Sequence, residues 1–265
     1  MNAPVMLGQL TQTLATHFWP MALCGARLLP VCLMCPLFGG AHAPAQVRLS
    51  LALMLALFLH LGCAVGLPAG FQASVLTLAP AFATQLCAGV AMGYVSSLPF
   101  DGARIGGRLL DTFRNANAEA QLPGVGQKDS ATASMLHQLL CASLFACGGY
   151  QFVLGAVIKS FAALPLAGGA FNLTGAVELC AAGAVAAMAT GLAIGAPAAA
   201  VSVVVDVGMG LCARAAPQLR LDDTGVPVKL GLGSAAVLLS LGAVSERLLT
   251  DAAQSVHAIS ALVGG

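Results

Sequence analysis

The side chains in this sequence that could do chemistry are mainly cysteines, histidines and one serine in a glycine-rich segment. Cys32 and Cys35 have the CxxC spacing of a redox pair or of half a zinc site. No second CxxC pair and no paired-histidine motif accompanies them, and the nine cysteines are scattered through apolar runs. Because buried cysteine behaves as a small hydrophobic residue, we favour a packing role for these cysteines.

Signatures of catalysis are missing from the sequence. It contains no HExxH motif, no P-loop, no GxSxG motif and no EF-hand loop. Residues 231–234 (GLGS) resemble the small-residue setting of an intramembrane serine nucleophile, but only His257 follows them, and helix packing explains them better. No ligand spacing is found among the histidines His17, His42, His60, His137 and His257. The sequence therefore predicts no enzyme, no metal site and no cofactor.

The composition indicates a membrane protein. The 265 residues include 11 Lys or Arg and 10 Asp or Glu, which is 8% charged, and 58% are hydrophobic. Soluble domains average about 25% charged residues, so this chain could not cover a water-facing surface. A net charge of +1 without a basic cluster also argues against nucleic-acid binding. The remaining class is a polytopic membrane protein, or a chain whose surface is buried in an assembly.

The spacing of the charges predicts the helices. Residues 49–100 contain no Asp, Glu, Lys or Arg, and this length fits two membrane-crossing helices with a break near residues 66–70. The apolar runs do not alternate with polar residues as barrel strands do, so we expect an all-α fold of helical hairpins with no β-sheet. We expect the fourth and fifth segments to be bent or split, the fifth at Pro197. The six segments are 14–38, 47–66, 72–98, 132–164, 175–205 and 229–250.

Charged residues cluster in the connection at residues 99–131. The spacing from Asp101 to Glu119 is helical, and it allows Arg108 and Asp111 to pair at i,i+3. Two hypotheses stay open here: a solvated helix held by its own ion pairs, or a charged helix packed inside a multi-subunit channel. We expect one integrated unit, in which residues 1–131 form hairpins plus this connection and residues 132–265 form the long C-terminal helices. The positive-inside rule places both termini outside the cytoplasm.

A resemblance to a known family rests on short segments that follow in order over residues 18–250. They are residues 27–30 (RLLP), 36–39 (PLFG), 97–101 (SLPFD) and 206–218 (DVGMGLCARAAPQ), continued by 225–230 (GVPVKL). Their order and spacing resemble the T component of the type III secretion export apparatus, whose flagellar counterpart is the R component. The pattern from Asp101 to Arg114 resembles the virulence or symbiosis branch of that family.

The resemblance implies a structural subunit of an export gate in the bacterial inner membrane. Members assemble, as one copy, with the R and S components, and the U and V components join the same apparatus. Unfolded secreted proteins pass through the pore, and no cofactor takes part. The multi-pass chain lies within the secretion basal body of the injectisome and is displaced above the membrane plane on assembly, while still touching lipid.

The same resemblance and the charges near apolar segments give two sets of candidate residues. In the family, the region matching residues 106–126 forms a plug that closes the resting pore, which gives as plug candidates Phe113, Arg114, Asn115, Pro123 and Gly124. We expect the charges of Asp206, Arg214 and Lys229 to meet partners, because unpaired burial is costly. The candidates for packing or assembly are Arg27, Pro30, Arg48, Pro99, Phe100, Arg104, Gly107, Arg108, Asp111, Pro165, Asp206, Arg214, Pro217, Gln218 and Lys229.

Two other classes of function compete with the gate subunit. An autonomous transporter or channel would have paired repeats with interrupted helices, or a charge cluster at the bilayer midplane. An intramembrane enzyme would need a coherent catalytic set. Both would act alone, whereas a gate subunit should co-purify with other export components.

Overall fold

The fold was analysed in a computed structural model of the chain. It describes residues 3–39, 43–63, 65–68, 74–114, 119–120, 129–167, 171–215 and 222–264. Over these residues the fold consists of long helices with one short 3-10 helix, Pro36–Phe38, which confirms the expected all-α class. The helices are α1 (Ala3–Met34), α2 (Ala45–Gly62), α3 (Val75–Phe113), α4 (Ala131–Ala146), α5 (Gly149–Ala163), α6 (Leu173–Ala215) and α7 (Asp222–Gly264).

Extended structure in the described residues is limited to two residue pairs. Strand β1 (Glu119–Ala120) pairs antiparallel with β2 (Asp129–Ser130). The pairing lies just before α4, where the Ser130 hydroxyl caps the helix by accepting from the Ala133 N–H. It forms no layer of the fold.

The helices match the six hydrophobic segments. Within the described residues, α1 from Thr16, α2, α3 from Leu76 and α6 are each long and apolar enough to cross a membrane. Two further bent pairs reach that threshold together, one of them α4 with α5, and this gives up to six spans. The fit follows from the scarcity of charge, because about 20 apolar residues suffice to cross the hydrocarbon core.

The fourth segment is split, as predicted, and the fifth is not. Helices α4 and α5 meet at 76°, and Gly148 between them takes a left-handed conformation at φ 72°. Helix α6 continues through Pro197, so the fifth segment is not split there, and the alternative of a bend at Pro197 stays a prediction. A proline removes one N–H donor, and long membrane helices tolerate this loss because neighbouring groups satisfy the freed carbonyl.

The charged connection begins as a continuation of α3. The third segment was expected to end near residue 98, but the helix extends to Phe113. At 39 residues it is about 58 Å long, nearly twice the hydrocarbon thickness of about 30 Å. Hydropathy marks where a helix leaves the apolar environment, and a helix whose charges have helical spacing continues past that point.

The chain divides into two compact units, each discontinuous in sequence. Unit 1 contains residues 1–97, 150–181 and 256–265, and unit 2 contains residues 98–149 and 182–255. Helices α3, α6 and α7 contribute residues to both units. Residue 131, the expected boundary between the N-terminal hairpins and the C-terminal helices, lies inside unit 2. In unit 1, α1 packs against α2, and the core is built from Leu23, Leu28, Ala56, Met92, Val95, Val157, Phe161 and Ile259, among others.

Glycines mark the places where helices come closest. A Cβ on Gly93 would lie 2.9 Å from the Pro30 carbonyl oxygen, so α1 and α3 touch through their backbones in unit 1. In unit 2, a Cβ on Gly107 would overlap the backbone of Ala133 on α4, and one on Gly195 would lie 2.8 Å from Leu109 Cβ. Glycine at these positions therefore lets neighbouring helices approach to backbone distance.

Replacing Gly107 with alanine should destabilise the chain by about 1–3 kcal/mol, because the added methyl group forces α3 away from α4. Gly208→Ala is the matched control. A Cβ at Gly208 on α6 meets nothing within 4 Å, so alanine there should be neutral or stabilise the helix by up to about 1 kcal/mol. Thermal unfolding midpoints of the full chain in detergent measure both. Equal midpoints for the two variants would contradict the packing account.

Candidate functional site

The most buried charged side chain of unit 1 is Arg27, on α1. Its guanidinium donates to Gln85 Oε1 on α3 at 2.6 Å, to Ser160 Oγ on α5 at 3.0 Å and to the Leu164 carbonyl at 2.6 Å. Its central carbon lies 4.1 Å from the centre of the Phe161 ring. We call these five residues the Arg27 cluster, and it joins three helices at a point that water does not reach.

The Arg27 cluster holds a cation with neutral partners. Every hydrogen-bond acceptor of Arg27 in the described structure is an amide, a hydroxyl or a carbonyl. Burying a charge costs several kcal/mol. Hydrogen bonds to a charged donor contribute about 1.5–3 kcal/mol each, and a desolvated ring contact about 2 kcal/mol, so these contacts offset that cost. Losing one acceptor would leave part of the charge unsatisfied.

Gln85 extends the cluster to the turn that follows α5. Its amide nitrogen donates to the Pro165 carbonyl at 3.1 Å and to the Leu166 carbonyl at 3.2 Å. With the bond from Arg27 to Leu164, three consecutive carbonyls are therefore satisfied by two side chains. This is the role the structure gives Pro165, whose ring is exposed while its carbonyl is bonded.

A second polar cluster lies in unit 2, where α3 ends and α4 begins. Asp111 Oδ2 accepts from the Thr132 backbone N–H at 3.0 Å, and Oδ1 accepts from the Thr132 hydroxyl at 2.6 Å. Arg114 forms an ion pair with Asp111 and donates to Thr132 Oγ1 at 2.6 Å and to Ser234 Oγ on α7 at 3.2 Å. We call these four residues the Asp111 cluster.

The Asp111 cluster is largely shielded from solvent. The side chains of Arg114 and Asp111 are only 12% and 6% exposed. The Arg114 stem fills the space beside Gly233, where a Cβ would overlap it. The segment 231–234 is thus a packing surface for an arginine, in agreement with the packing interpretation. The i,i+3 ion pair that the structure shows for Asp111 joins it to Arg114, three residues later in the chain.

Other predicted residues take separate places. Arg48 donates to the Leu33 carbonyl at 3.3 Å and so caps the C-terminal end of α1. Phe100 is buried on α3 with its ring 5.6 Å from that of His137. Asp206 forms an ion pair with Lys229, as expected, but its side chain is 56% exposed, which limits the contribution to about 1 kcal/mol.

The remaining candidates divide by exposure. Pro30, Pro99 and Gly107 are buried in helix contacts, whereas Arg108 and Arg214 are exposed. Arg104 is half-buried on α3, and Phe113 is half-buried at the end of that helix. Outside the described residues lie Asn115, Pro123, Gly124, Pro217 and Gln218.

The CxxC pair has the environment of packed cysteines. Cys32 and Cys35 are both buried and unbridged. Burial raises the pKa of the Cys35 thiol, whereas reactive thiols have lowered pKa values. No group of three or more His, Cys, Asp or Glu in the part of the chain that the structure describes has a metal-binding arrangement.

Sequence reasoning missed the neutral partners. Gln85, Ser160 and Thr132 are uncharged residues without a motif, whereas Ser234 belongs to the segment 231–234, which the sequence assigned to helix packing. Gln85 is a polar residue inside the charge-free stretch 49–100, and this is the sequence signal that could have identified it. The structure shows its side chain buried. Ser160 is 133 residues from Arg27, and no local spacing connects them.

Long apolar helices that pack through glycines, with buried charges that serve helix contacts, define a multi-pass helical membrane protein. The sequence matches the family of bacterial export proteins, family 1, over residues 18–254. The chain therefore belongs to that family of bacterial export proteins. It is similar to the flagellar biosynthetic protein FliR of Escherichia coli (strain K12), with 24% identity over 243 residues that cover 89% of this chain and 88% of that protein.

Arg27→Lys should destabilise the chain by about 2–4 kcal/mol, although the charge is kept. A lysine ammonium cannot reach acceptors on α3, on α5 and beyond α5 together, and each buried acceptor left without a donor costs about 1–3 kcal/mol. The control Arg247→Lys, on an exposed part of α7, should stay within about 0.5 kcal/mol. Thermal midpoints in detergent decide the matter, and a midpoint unchanged by Arg27→Lys rules out the cluster as a stabilising element.

Thr132→Val tests the Asp111 cluster with an isosteric change. The variant loses the hydroxyl that donates to Asp111 and accepts from Arg114, so we expect about 2–3 kcal/mol of destabilisation. Thr112→Val is the control, because the Thr112 hydroxyl only donates to the Arg108 carbonyl on an exposed face of α3. If both valine variants unfold at the same temperature, the cluster contributes nothing measurable.

Proposed function

We propose that the chain is the T subunit of a type III secretion export gate. In this role it forms, with the R and S components, the pore through which unfolded proteins cross the bacterial inner membrane. The observation that carries the proposal is the family match over residues 18–254, together with similarity to a flagellar biosynthetic protein along nearly the whole chain. The family match supports a role in protein export, and the proposal adds that the chain forms part of the gate.

The packing of the chain supports a subunit role. The described charges that are most buried, Arg27 and Asp111, are engaged in internal contacts between helices. Large apolar side chains remain exposed along α6 and α7, and in an assembly they would be covered by lipid or by neighbouring subunits. These side chains include Val185, Met188, Leu192, Val203, Val204, Leu211, Leu232, Leu238 and Leu239.

The injectisome branch is the finer part of the proposal. The pattern from Asp101 to Arg114 resembles the virulence or symbiosis branch, and two of its residues, Asp111 and Arg114, share one cluster. The expected partners are one R–S assembly around a single copy of this chain, with the U and V components nearby.

The plug hypothesis concerns the segment between α3 and α4. Its candidate Arg114 belongs to the Asp111 cluster, so we assign it to anchoring, whereas Phe113 keeps its place as the candidate seal at the end of α3. The bonds from Thr132 to Asp111 hold the start of α4 beside the end of α3. The segment between them therefore leaves and returns at one point, as a plug loop requires.

Co-expression with the R and S components tests both levels of the proposal. The full chain should co-purify with them as one complex, and a variant lacking residues 115–122, which keeps Arg114, should assemble equally well. That variant should also make the inner membrane leaky to small molecules in cells. The control variant carries Thr112→Ala on the exposed face of α3, and it should assemble and leave the membrane tight.

The outcomes separate the alternatives. A chain that purifies alone and moves a solute in vesicles would be an autonomous transporter or channel, and the gate proposal would fail. A deletion variant that assembles and stays tight to ions would remove the plug assignment and leave the subunit role intact.

A further inference from the structure

Two histidines without any ligand spacing in sequence meet in unit 1. His17 Nδ1, near the start of the apolar part of α1, lies 3.0 Å from His60 Nε2, near the end of α2. Their rings are 5.3 Å apart between centres and inclined at 70°. The two residues are 43 positions apart, so the pair arises from the packing of α1 on α2.

A contact between His60 and the Val65 carbonyl indicates which ring nitrogen of His60 carries the hydrogen. His60 Nδ1 lies 2.9 Å from the Val65 carbonyl oxygen. A carbonyl only accepts, so Nδ1 carries the hydrogen, and the Nε2 lone pair accepts a hydrogen bond from His17 Nδ1. A histidine bonded to a backbone carbonyl through one nitrogen is the arrangement that orients metal-ligating histidines.

The separation of the two nitrogens suits a shared metal ion. Ligands at about 2.1 Å from a metal lie about 3.0 Å apart at right angles and about 3.4 Å apart in a tetrahedral site. His17 is exposed, so a rotation of its ring can turn the Nδ1 lone pair toward the ion, while Val65 holds His60 in place. On binding, the Nδ1 proton of His17 leaves, and its Nε2 takes a proton from water.

The pair lies at the ends of two candidate membrane spans. His17 is the second residue of the candidate span Thr16–Met34, and His60 is near the end of the span Ala45–Gly62. Phe18 and Trp19 follow His17 with ring centres 5.3 Å apart, and tryptophan side chains concentrate at the level of the lipid headgroups. Water is therefore available to complete the coordination of an ion.

We infer that His17 and His60 form a two-histidine site for a late first-row divalent metal ion, Zn²⁺ being the expected ion in the cell. Imidazole nitrogens suit Zn²⁺, Ni²⁺ and Cu²⁺. The ion would link α1 to α2 at the interface, with water in the remaining positions.

The test uses Trp19, the single tryptophan of the chain, as a reporter two residues from His17. The full chain is purified through a tag without histidine and titrated with Ni²⁺, which does not oxidise thiols and quenches nearby tryptophan fluorescence. Excess Zn²⁺ should then reverse the quenching. Calorimetric titration with Ni²⁺ follows the same equilibrium without the fluorophore.

The variants are His17→Gln, which keeps a hydrogen-bonding side chain, and His60→Ala. Each should bind Ni²⁺ at least about tenfold more weakly than the original chain. Two controls should bind as the original chain does: His257→Ala on α7, and Cys63→Ser, three residues after His60 at the end of α2.

The inference stands if Ni²⁺ binding is saturable and reversed by Zn²⁺, and if each histidine variant weakens it while neither control does. It falls if His17→Gln binds Ni²⁺ as tightly as the original chain, or if Cys63→Ser abolishes binding. It also falls if neither fluorescence nor heat registers binding, in which case the two rings share only a proton.

Discussion

A cation that is fully enclosed in protein must have all its donors satisfied by groups on other parts of the chain. Arg27 is completely buried, and its acceptors lie on α3, on α5 and in the turn after α5. The guanidinium fork has a fixed geometry, so these elements can occupy only a narrow range of relative positions. Apolar contacts are non-directional, so Arg27 adds the directional constraint within a core that apolar burial stabilises.

The Asp111 cluster applies the same physics with the opposite charge at its centre. A carboxylate needs donors, and it takes them from Thr132 and Arg114. Here the ion pair supplies a compensating charge, whereas Arg27 has only neutral partners. Among the described residues, each unit of this charge-poor chain therefore has a buried ionic side chain that ties helices together, Arg27 in unit 1 and Asp111 in unit 2.

The sequence predicts the positions of the candidate membrane-spanning helices far better than it predicts the contacts between those helices. Six segments follow from the gaps between charges, because the energetic cost of charge in lipid is large and local in sequence. The end of α3 at Phe113 lies beyond the expected end near residue 98, because hydropathy marks only the apolar part of that helix, and α6 is not split at Pro197.

The candidate sites divide in the same way. Asp111 and Arg114 are three residues apart on one helix, and their spacing alone suggests an ion pair. Gln85 and Ser160 carry no charge and lie 58 and 133 positions from Arg27, so no periodicity connects them. The pair of His17 and His60 is equally silent in sequence. Uncharged partners at long range become visible only once the helices are packed.

Glycines separate the surfaces that the chain uses internally from those it leaves open. Gly89, Gly93 and Gly107 sit where a Cβ would collide with a neighbouring helix, so alanine is destabilising there. Gly208, Gly210 and Gly231, near the facing ends of α6 and α7, have nothing within 4 Å. Glycine inside a helix costs about 1 kcal/mol relative to alanine, so the isolated chain gains nothing from these three.

An open glycine becomes favourable when another helix approaches to backbone distance. Gly208, Gly210 and Gly231 lie among exposed apolar side chains such as Val207 and Leu232, which also lack cover in the isolated chain. Both features would be satisfied at once by a neighbouring helical subunit, whereas lipid would satisfy only the apolar side chains. The surface of α6 and α7 therefore favours an assembly with other helical chains over a protein that works alone in the bilayer.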